Sequence, residues 1–127
     1  MNPRSKLAIL VWSLSPERPE LAAAPFVYAV TAVAMDCEVE IHFAGTAVKL
    51  LEPGVAEDMY SSPGRERSIH DFMRDASGRG VKFLVCQMAF HAHGLVDRPL
   101  IPEYSGAAGA AAFVARTLDP EWSTMIF

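Results

Sequence analysis

The sequence predicts an α/β fold in which helices cover both faces of a mostly parallel sheet. Residues 6–12 (KLAILVW) form a continuous apolar run of strand length, which is typical of a strand that is covered on both faces. Segments of strand character then alternate with segments of helix character along the chain. The 127 residues, 51% of them hydrophobic, fit a single domain, which we expect to span residues 1–127.

The first half of the chain predicts two strands separated by a helix. A loop at residues 13–19 follows the first strand, and a helix lies within residues 20–35. Pro25 is either in the first turn of this helix or kinks it, and the sequence leaves both options open. Residues 37–43 (CEVEIHF) alternate apolar and polar side chains, so we predict a strand near a sheet edge with Glu38, Glu40 and His42 exposed.

A second helix and a third strand are predicted in the middle of the chain. Residues 47–51 predict a short helical turn. Ser62-Pro63 predicts the start of a helix, with serine as N-cap and proline as the first helical residue. Apolar residues at positions 69, 72, 73 and 76 form one face of that helix, which ends at Gly78 or Gly80. Residues 81–85 (VKFLV) predict the next strand.

The last third of the chain predicts two further helices and a closing strand. Residues 87–96 are typical of a short helix, and residues 100–104 of a weak strand, because Pro102 removes a backbone donor. Ser105 is predicted to cap an alanine-rich helix over residues 106–118. Residues 123–127 (STMIF) predict the closing strand.

Composition and charge exclude several classes of function. The net charge is −4 and the basic residues form no stripe, which argues against a nucleic-acid partner. The longest uncharged apolar run, residues 21–35, is shorter than the roughly 20 residues that span a bilayer. No secretory cleavage pattern follows the first apolar run, so we expect a cytoplasmic protein without membrane association. Dinucleotide-binding, Walker, CxxC and GxSxG motifs are absent, so no cofactor is expected.

The candidate site residues lie where predicted strands end. Ligands of open parallel sheets bind at the carboxyl ends of the strands, and residues 13–19, 44–46 and 86–94 occupy such positions. We take Cys86 as the candidate nucleophile. The candidate binding residues are Ser13, Gly45, Gln87, His91 and His93.

Cys86 is the strongest candidate because it follows a buried strand and precedes a helix. Thiolates are favoured at helix N-termini, and the thiolate is the reactive form of cysteine. Burial as a small hydrophobic residue is the competing interpretation. A neighbouring imidazole such as that of His91 could assist ionisation. Cys37 opens a strand at the opposite sheet edge, so no intrachain disulfide is expected.

A zinc site on Cys86, His91 and His93 is a further alternative, because thiolate and imidazole both bind zinc. The spacing Cys-x4-His-x-His matches no strong zinc signature, and the sequence offers no evident fourth ligand. We therefore predict no metal site.

The order of these features resembles the DsrE/DsrF-like family over nearly the whole chain. The apolar first strand leads through an alanine-rich helix to Phe-Ala-Gly at positions 43–45 and Val-Lys-Leu-Leu at 48–51. A helix closed by Gly80-Val81 follows, then a strand that ends at Cys86. The resemblance implies a three-layer α/β/α fold with a five-stranded parallel sheet, assembled as trimers or hexamers.

The resemblance also implies a function, since family members active in sulfur relay carry a persulfide on a cysteine at the position of Cys86. The implied role is a sulfur-relay protein that receives sulfur from a donor protein and passes it to a partner thiol without a cofactor. Whether it acts as a sulfurtransferase component stays open, because some relatives lack the cysteine. The alternative is a non-enzymatic oligomeric protein that binds a small ligand, with Cys86 only lining the pocket. No second cysteine lies near Cys86, which argues against a dithiol oxidoreductase.

Overall fold

The structure of the protein is a computed structural model that describes residues 5–127, so residues 1–4 of the predicted domain lie outside it. The strands are β1 (Lys6–Val11), β2 (Glu38–Phe43), β3 (Lys82–Val85), β4 (Tyr104–Ala107) and β5 (Trp122–Ile126). The α-helices are α1 (Ala24–Ala34), α2 (Ile69–Gly78), α3 (Gln87–Ala92) and α4 (Ala110–Leu118). Short 3-10 helices lie at Pro19–Leu21, Gly45–Leu51 and Ala56–Asp58. The second of these confirms the helical turn predicted at residues 47–51.

The five strands form one parallel sheet in the order β4-β3-β2-β1-β5. The α/β prediction is therefore confirmed, and all strands end at the same edge of the sheet. Strand β2 is the central strand, so the prediction that it lies near an edge is wrong. Its alternating polar residues have a different cause, described with the site below.

Helices cover both faces of the sheet, as predicted. On one face, Ile9 and Val11 of β1 pack into the main core with Phe26 of α1 and Met73 of α2. On the other face, Ala8 forms a smaller cluster with Phe113 of α4 and Trp122 of β5. The main core is large and the second cluster is small, so α4 is held to the sheet by fewer apolar contacts than α1 and α2.

Pro25 lies in the first turn of α1, which settles the choice that the sequence leaves open. A proline there removes no helical hydrogen bond, because the first N–H groups of a helix have no partner within it. No helix within residues 5–127 is long and apolar enough to cross a membrane.

Helix α2 begins at Ile69, so the predicted start at Ser62 is wrong. The N-cap is Ser68, whose hydroxyl accepts a hydrogen bond from the Asp71 backbone at 3.1 Å. The Asp71 carboxylate in turn accepts one from the Ser68 backbone at 2.9 Å, which completes a capping box. Arg65 has φ of 51°, a left-handed conformation that no α-helix can continue through. The chain therefore turns after Ser62, and the N-cap of the helix lies six residues later, at Ser68.

Strand β4 also begins later than predicted, and Ser105 lies within it instead of capping α4. Its hydroxyl accepts a hydrogen bond from the Phe83 backbone at 3.0 Å, where the pairing of β3 with β4 shifts register. Because this hydroxyl completes the strand pairing, it is not free to cap a helix. Helix α4 begins instead at Ala110 with Gly109 as its N-cap.

Candidate functional site

A cavity of about 230 Å³ lies at the carboxyl edge of the sheet, between the ends of the strands and the start of α4. Its walls are almost entirely apolar and include Leu10, Phe43 and Phe113. Two side chains with reactive or titratable groups, Cys86 and His42, also line it. Carboxyl edges of parallel sheets are where ligands bind in α/β proteins, so this cavity is the candidate site.

Cys86 is held at the cavity by the end of β3. Its backbone N–H donates to the carbonyl of Phe43 at 3.0 Å, which continues the pairing of β3 with β2 by one residue. The side chain is half-buried, and the cysteine is free. Cys37, the other cysteine, is also free and precedes β2 at the opposite edge of the sheet.

The N-terminus of α4 meets the same cavity through Gly109 and Ala110. No side chain caps this end of the helix, and its first turn contains no acidic residue. The N–H groups of a first helical turn have no partner within the helix and carry a partial positive charge. The cavity thus combines apolar walls with one end that favours an anion.

His42 projects from β2 into the same cavity and is almost completely buried, at 3% exposure. Its Nε2 lies 2.9 Å from Oε1 of Glu40. Its ring packs edge-on against Phe113, with 5.3 Å between the ring centroids. Within residues 5–127, the buried Nδ1 of this ring has no hydrogen-bond partner.

Glu40 is buried beneath His42 and is held by Arg116 of α4. Arg116 donates from Nε to Oε1 at 3.1 Å and from Nη2 to Oε2 at 3.0 Å, and its guanidinium stacks 4.3 Å from the Trp122 ring. Burial alone would raise the pKa of the Glu40 carboxyl. The hydrogen bonds from Arg116 and His42 outweigh burial and hold this pKa below its ordinary value.

The prediction that Glu40 and His42 form an exposed polar face is therefore wrong, while Glu38 is exposed as predicted. The physical reason is that α4 covers this face of the central strand, so polar side chains there are buried and paired. Helices on both faces of a sheet leave an inner strand without a face towards solvent, so the predicted fold itself implied that polar residues of an inner strand are buried. The alternation of polar and apolar residues in β2, taken alone, instead favours one exposed face.

The candidate binding residues before β3 lie outside the wall of the cavity. Ser13 is exposed in the loop after β1. Gly45 has φ of 52°, and a Cβ placed there would lie 2.5 Å from the carbonyl oxygen of Trp12. Thr46, next to it, donates from its hydroxyl to the carbonyl of Leu14 at 2.7 Å. The loop after β1 and the loop after β2 are therefore closely packed against each other through their backbones. Ligand binding by Ser13 and Gly45 stays a prediction.

The candidate residues after Cys86 are not brought together with it. Gln87 and His91 are exposed on α3, and His93 is the C-cap of that helix. None of the three lines the cavity. In the described part of the chain, no group of three His, Cys, Asp or Glu side chains could hold a metal ion, so the zinc alternative is not assembled. Ligand binding by Gln87, His91 and His93 also stays a prediction.

Comparison with known proteins gives a consistent result for the fold. The chain is similar to a protein of unknown function, MTH1491 from Methanobacterium thermoautotrophicum, with a TM-score of 0.66 and 15% identity over 96% of this chain and 98% of that chain. It is similar to the ychN protein from E. coli with a TM-score of 0.70 and 15% identity over 96% and 99% of the two chains. At this level of identity the likeness concerns the fold. Among curated proteins, none matches.

The family comparison covers most of the chain. The model of the DsrE/DsrF-like family matches residues 6–118, which include every strand and helix described above except β5. The carboxyl edge with Cys86 and His42 lies within this range. The protein belongs to the DsrE/DsrF-like family, a family of sulfur-relay type.

Proposed function

We propose that this protein carries a persulfide on Cys86 and passes its outer sulfur to the thiol of a partner protein. The observation that carries the proposal is the position of Cys86, a free and half-buried thiol in the wall of an apolar cavity. Membership in a family of sulfur-relay type supports it.

Three properties of the cavity suit a persulfide. The apolar wall around Leu10 and Phe113 limits contact of the outer sulfur with water. The uncapped N-terminus of α4 favours negative charge on either sulfur atom. Cys86 is only partly buried, which leaves the residue accessible to a partner.

The transfer is a balanced exchange between sulfur atoms. The Cys86 thiolate attacks the outer sulfur of a donor persulfide, so that a new S–S bond forms at Cys86 and the S–S bond of the donor breaks. The electron pair of the broken bond leaves with the inner sulfur of the donor, which takes up a proton and becomes a thiol. An acceptor thiolate then repeats the step on the Cys86 persulfide. No net oxidation occurs, so the exchange requires no cofactor.

The acceptor must be a separate molecule or a second subunit. Cys37 and Cys86 lie at opposite edges of the sheet, and a strand of six residues spans about 17–20 Å. Cysteines more than about 7 Å apart at Cα cannot form a disulfide without movement of the backbone. The persulfide on Cys86 is therefore protected from internal resolution by Cys37.

We also propose the setting of the relay that the resemblance implies. The chain assembles as a trimer or hexamer in the cytoplasm, where reducing conditions maintain free thiols. Light scattering coupled to size-exclusion chromatography measures the assembly, and a monomer at micromolar concentration would refute it.

The test is intact mass spectrometry after incubation with glutathione persulfide. The wild type and Cys37→Ser should each gain the mass of one sulfur atom, whereas Cys86→Ser should gain none. Added thioredoxin in its reduced form should then remove the sulfur. A wild type that gains no sulfur, or an adduct that persists in Cys86→Ser, would refute the proposal.

The second candidate function is binding of a small apolar ligand, with Cys86 only as part of the wall. The cavity volume of about 230 Å³ and its apolar lining favour it. The fluorescent probe 1-anilino-8-naphthalenesulfonate distinguishes the two functions. Probe binding that is equal in wild type and Cys86→Ser, together with no sulfur adduct, would favour ligand binding over relay.

A further inference from the structure

We infer that His42 is a catalytic residue of the Cys86 site, whose Nδ1 takes the thiol proton of Cys86 and then faces the outer sulfur of the persulfide. Glu40 and Arg116 act through His42 as positioning residues. The inference rests on the proposed function for the identity of the reaction. Proton transfer from Cys86 can, however, be measured without any sulfur donor.

The unpartnered nitrogen of His42 is the observation that leads to this role. The His42 side chain is only 4% exposed, yet in the described part of the chain its Nδ1 makes no hydrogen bond. A buried polar atom without a partner costs free energy, and such atoms in native proteins call for an explanation. Here the ring lines the cavity that also contains Cys86. A group bound in that cavity would supply the missing partner.

The environment of His42 determines which nitrogen carries the proton. Arg116 holds Glu40 with two hydrogen bonds, so the Glu40 carboxylate is ionised and can only accept. The Nε2 atom, 2.9 Å from this carboxylate, must therefore donate. In a neutral imidazole the other nitrogen then has a free lone pair. This leaves Nδ1 as the proton acceptor of a ring that lines the cavity.

The sheet register brings His42 and Cys86 to neighbouring positions on one face. His42 pairs with Leu84, and Cys86 lies two residues further along the same chain. Strand spacings of about 4.8 Å across and 3.3 Å per residue along the strand give roughly 8 Å between the two Cα atoms. Side chains on such diagonal neighbours extend into the same space.

The separation also fits the proposed intermediate. In the resting protein Nδ1 is not hydrogen-bonded to the thiol, and catalytic hydrogen bonds are often long before substrate binds. An S–S bond of about 2 Å adds one atom to Cys86, which extends its reach within the cavity. The outer sulfur can then occupy the space between Cys86 and the imidazole.

The proton balance of this step is closed. Nδ1 accepts the proton as the Cys86 sulfur attacks the donor persulfide, and Glu40 stabilises the imidazolium that forms. The proton then passes from Nδ1 to the departing donor thiolate, which leaves as a thiol. Among the described residues, Glu40 is the charged group that contacts His42, and Arg116 contacts Glu40 in turn. Phe113 of α4, which is uncharged, packs against the His42 ring.

The experiment measures the second-order rate of Cys86 alkylation by iodoacetamide at neutral pH, in a Cys37→Ser background. His42→Phe keeps an aromatic ring against Phe113 and removes both nitrogens. His42→Gln keeps a donor towards Glu40 and removes the imidazole base. Both variants should react about 100-fold more slowly, the lower range for loss of a general base.

His70→Gln is the matched control. His70 is also shielded, at 14% side-chain exposure, and also pairs with a carboxylate, Glu103, at 2.5 Å, but it does not line the cavity. Cys86 in the His70→Gln variant should be alkylated at the same rate as Cys86 in the Cys37→Ser parent. Equal rates in His42→Phe, His42→Gln and the parent would overturn the inference.

The two proposals fail separately. Slow alkylation of the His42 variants in a protein that takes no sulfur from glutathione persulfide would leave His42 as the base and overturn the relay. Sulfur uptake at the parental rate in both variants would overturn the role of His42 and leave the relay. Should both variants unfold, the ¹⁵N spectrum of the wild-type His42 ring decides. A proton on Nε2 supports the inference, and a proton on Nδ1 with a bare Nε2 overturns it.

Discussion

Replacement of Arg116 by methionine tests how the protein accommodates a carboxylate in its interior. Arg116 donates two hydrogen bonds to Glu40, whose side chain is only 6% exposed. Methionine retains part of the aliphatic stem but removes the charge and both donors. Glu40 then has His42 as its remaining partner among these contacts. We expect a large loss of stability because the carboxylate stays buried without its cation.

The size of the loss follows from the exposure of the two partners. Removing one member of a buried ion pair costs about 3–5 kcal/mol, because the other charge is left in the interior. Arg116 is itself 33% exposed, so water can partly replace it, and His42 still donates to Glu40. We therefore expect about 3 kcal/mol, the lower end of that range. Loss of the guanidinium stacked on Trp122 contributes about 1 kcal/mol of this total.

Urea unfolding at neutral pH measures the effect in a double-mutant cycle of wild type, Arg116→Met, Glu40→Met and the double variant. The double variant should be more stable than Arg116→Met, because it removes the stranded carboxylate. Arg79→Met is the matched control, since Arg79 pairs with Asp75 at 3.0 Å on the exposed surface and should cost about 0.5 kcal/mol or less. A double variant less stable than Arg116→Met would refute the reasoning.

Three further predictions concern stability. The pKa of Glu40 in the folded protein lies below its ordinary value of 4.5. The ionised carboxylate therefore contributes its full stabilisation of the fold above pH 4.5, and this stabilisation is lost as the pH falls from 4.5 through the pKa of the folded protein. Urea midpoints should fall more steeply below about pH 4.5 in wild type than in Glu40→Gln, and parallel curves would contradict this. Ser68→Ala should cost about 1 kcal/mol in the same assay, and Ser62→Ala nothing measurable, because only the former is a cap. Gly45→Ala should lower the melting temperature more than Gly54→Ala, since a Cβ at Gly45 lies 2.5 Å from a backbone carbonyl oxygen and one at Gly54 meets nothing within 4 Å. Equal melting temperatures would argue against this close approach.

The fold could be predicted where local pattern and tertiary packing agree. The continuous apolar run of β1 indicated a strand covered on both faces, and the structure has helices on both. The starts of α2 and β4 were missed for local reasons. Ser62-Pro63 has the residues of a helix start, but the capping box is formed by Ser68 and Asp71. Ser105 is similarly a good N-cap type that the sheet uses for another purpose.

The candidate site could be predicted in part. Cys86 was predicted because a residue that directly follows a buried strand must lie at the carboxyl edge of a parallel sheet. His42 was missed because its alternation with apolar neighbours is typical of an exposed face. The residue that makes burial of Glu40 tolerable, Arg116, is 76 positions away along the chain. No local pattern could connect the two, since only packing of α4 on the sheet brings them together.

The two ends of helix α4 have different contacts. Gly109 lies at the cavity, while Arg116, seven residues and about 10 Å along the axis, joins the helix to the sheet. In the described part of the chain, Phe113 is the one residue of α4 that is buried. Segments with few buried contacts open by local unfolding at a lower free energy than the core, so the amides of α4 should exchange with solvent before those of β1. Local unfolding of α4 would therefore remove Gly109 and Phe113 from the wall of the cavity at a lower free energy than unfolding of the sheet beneath it.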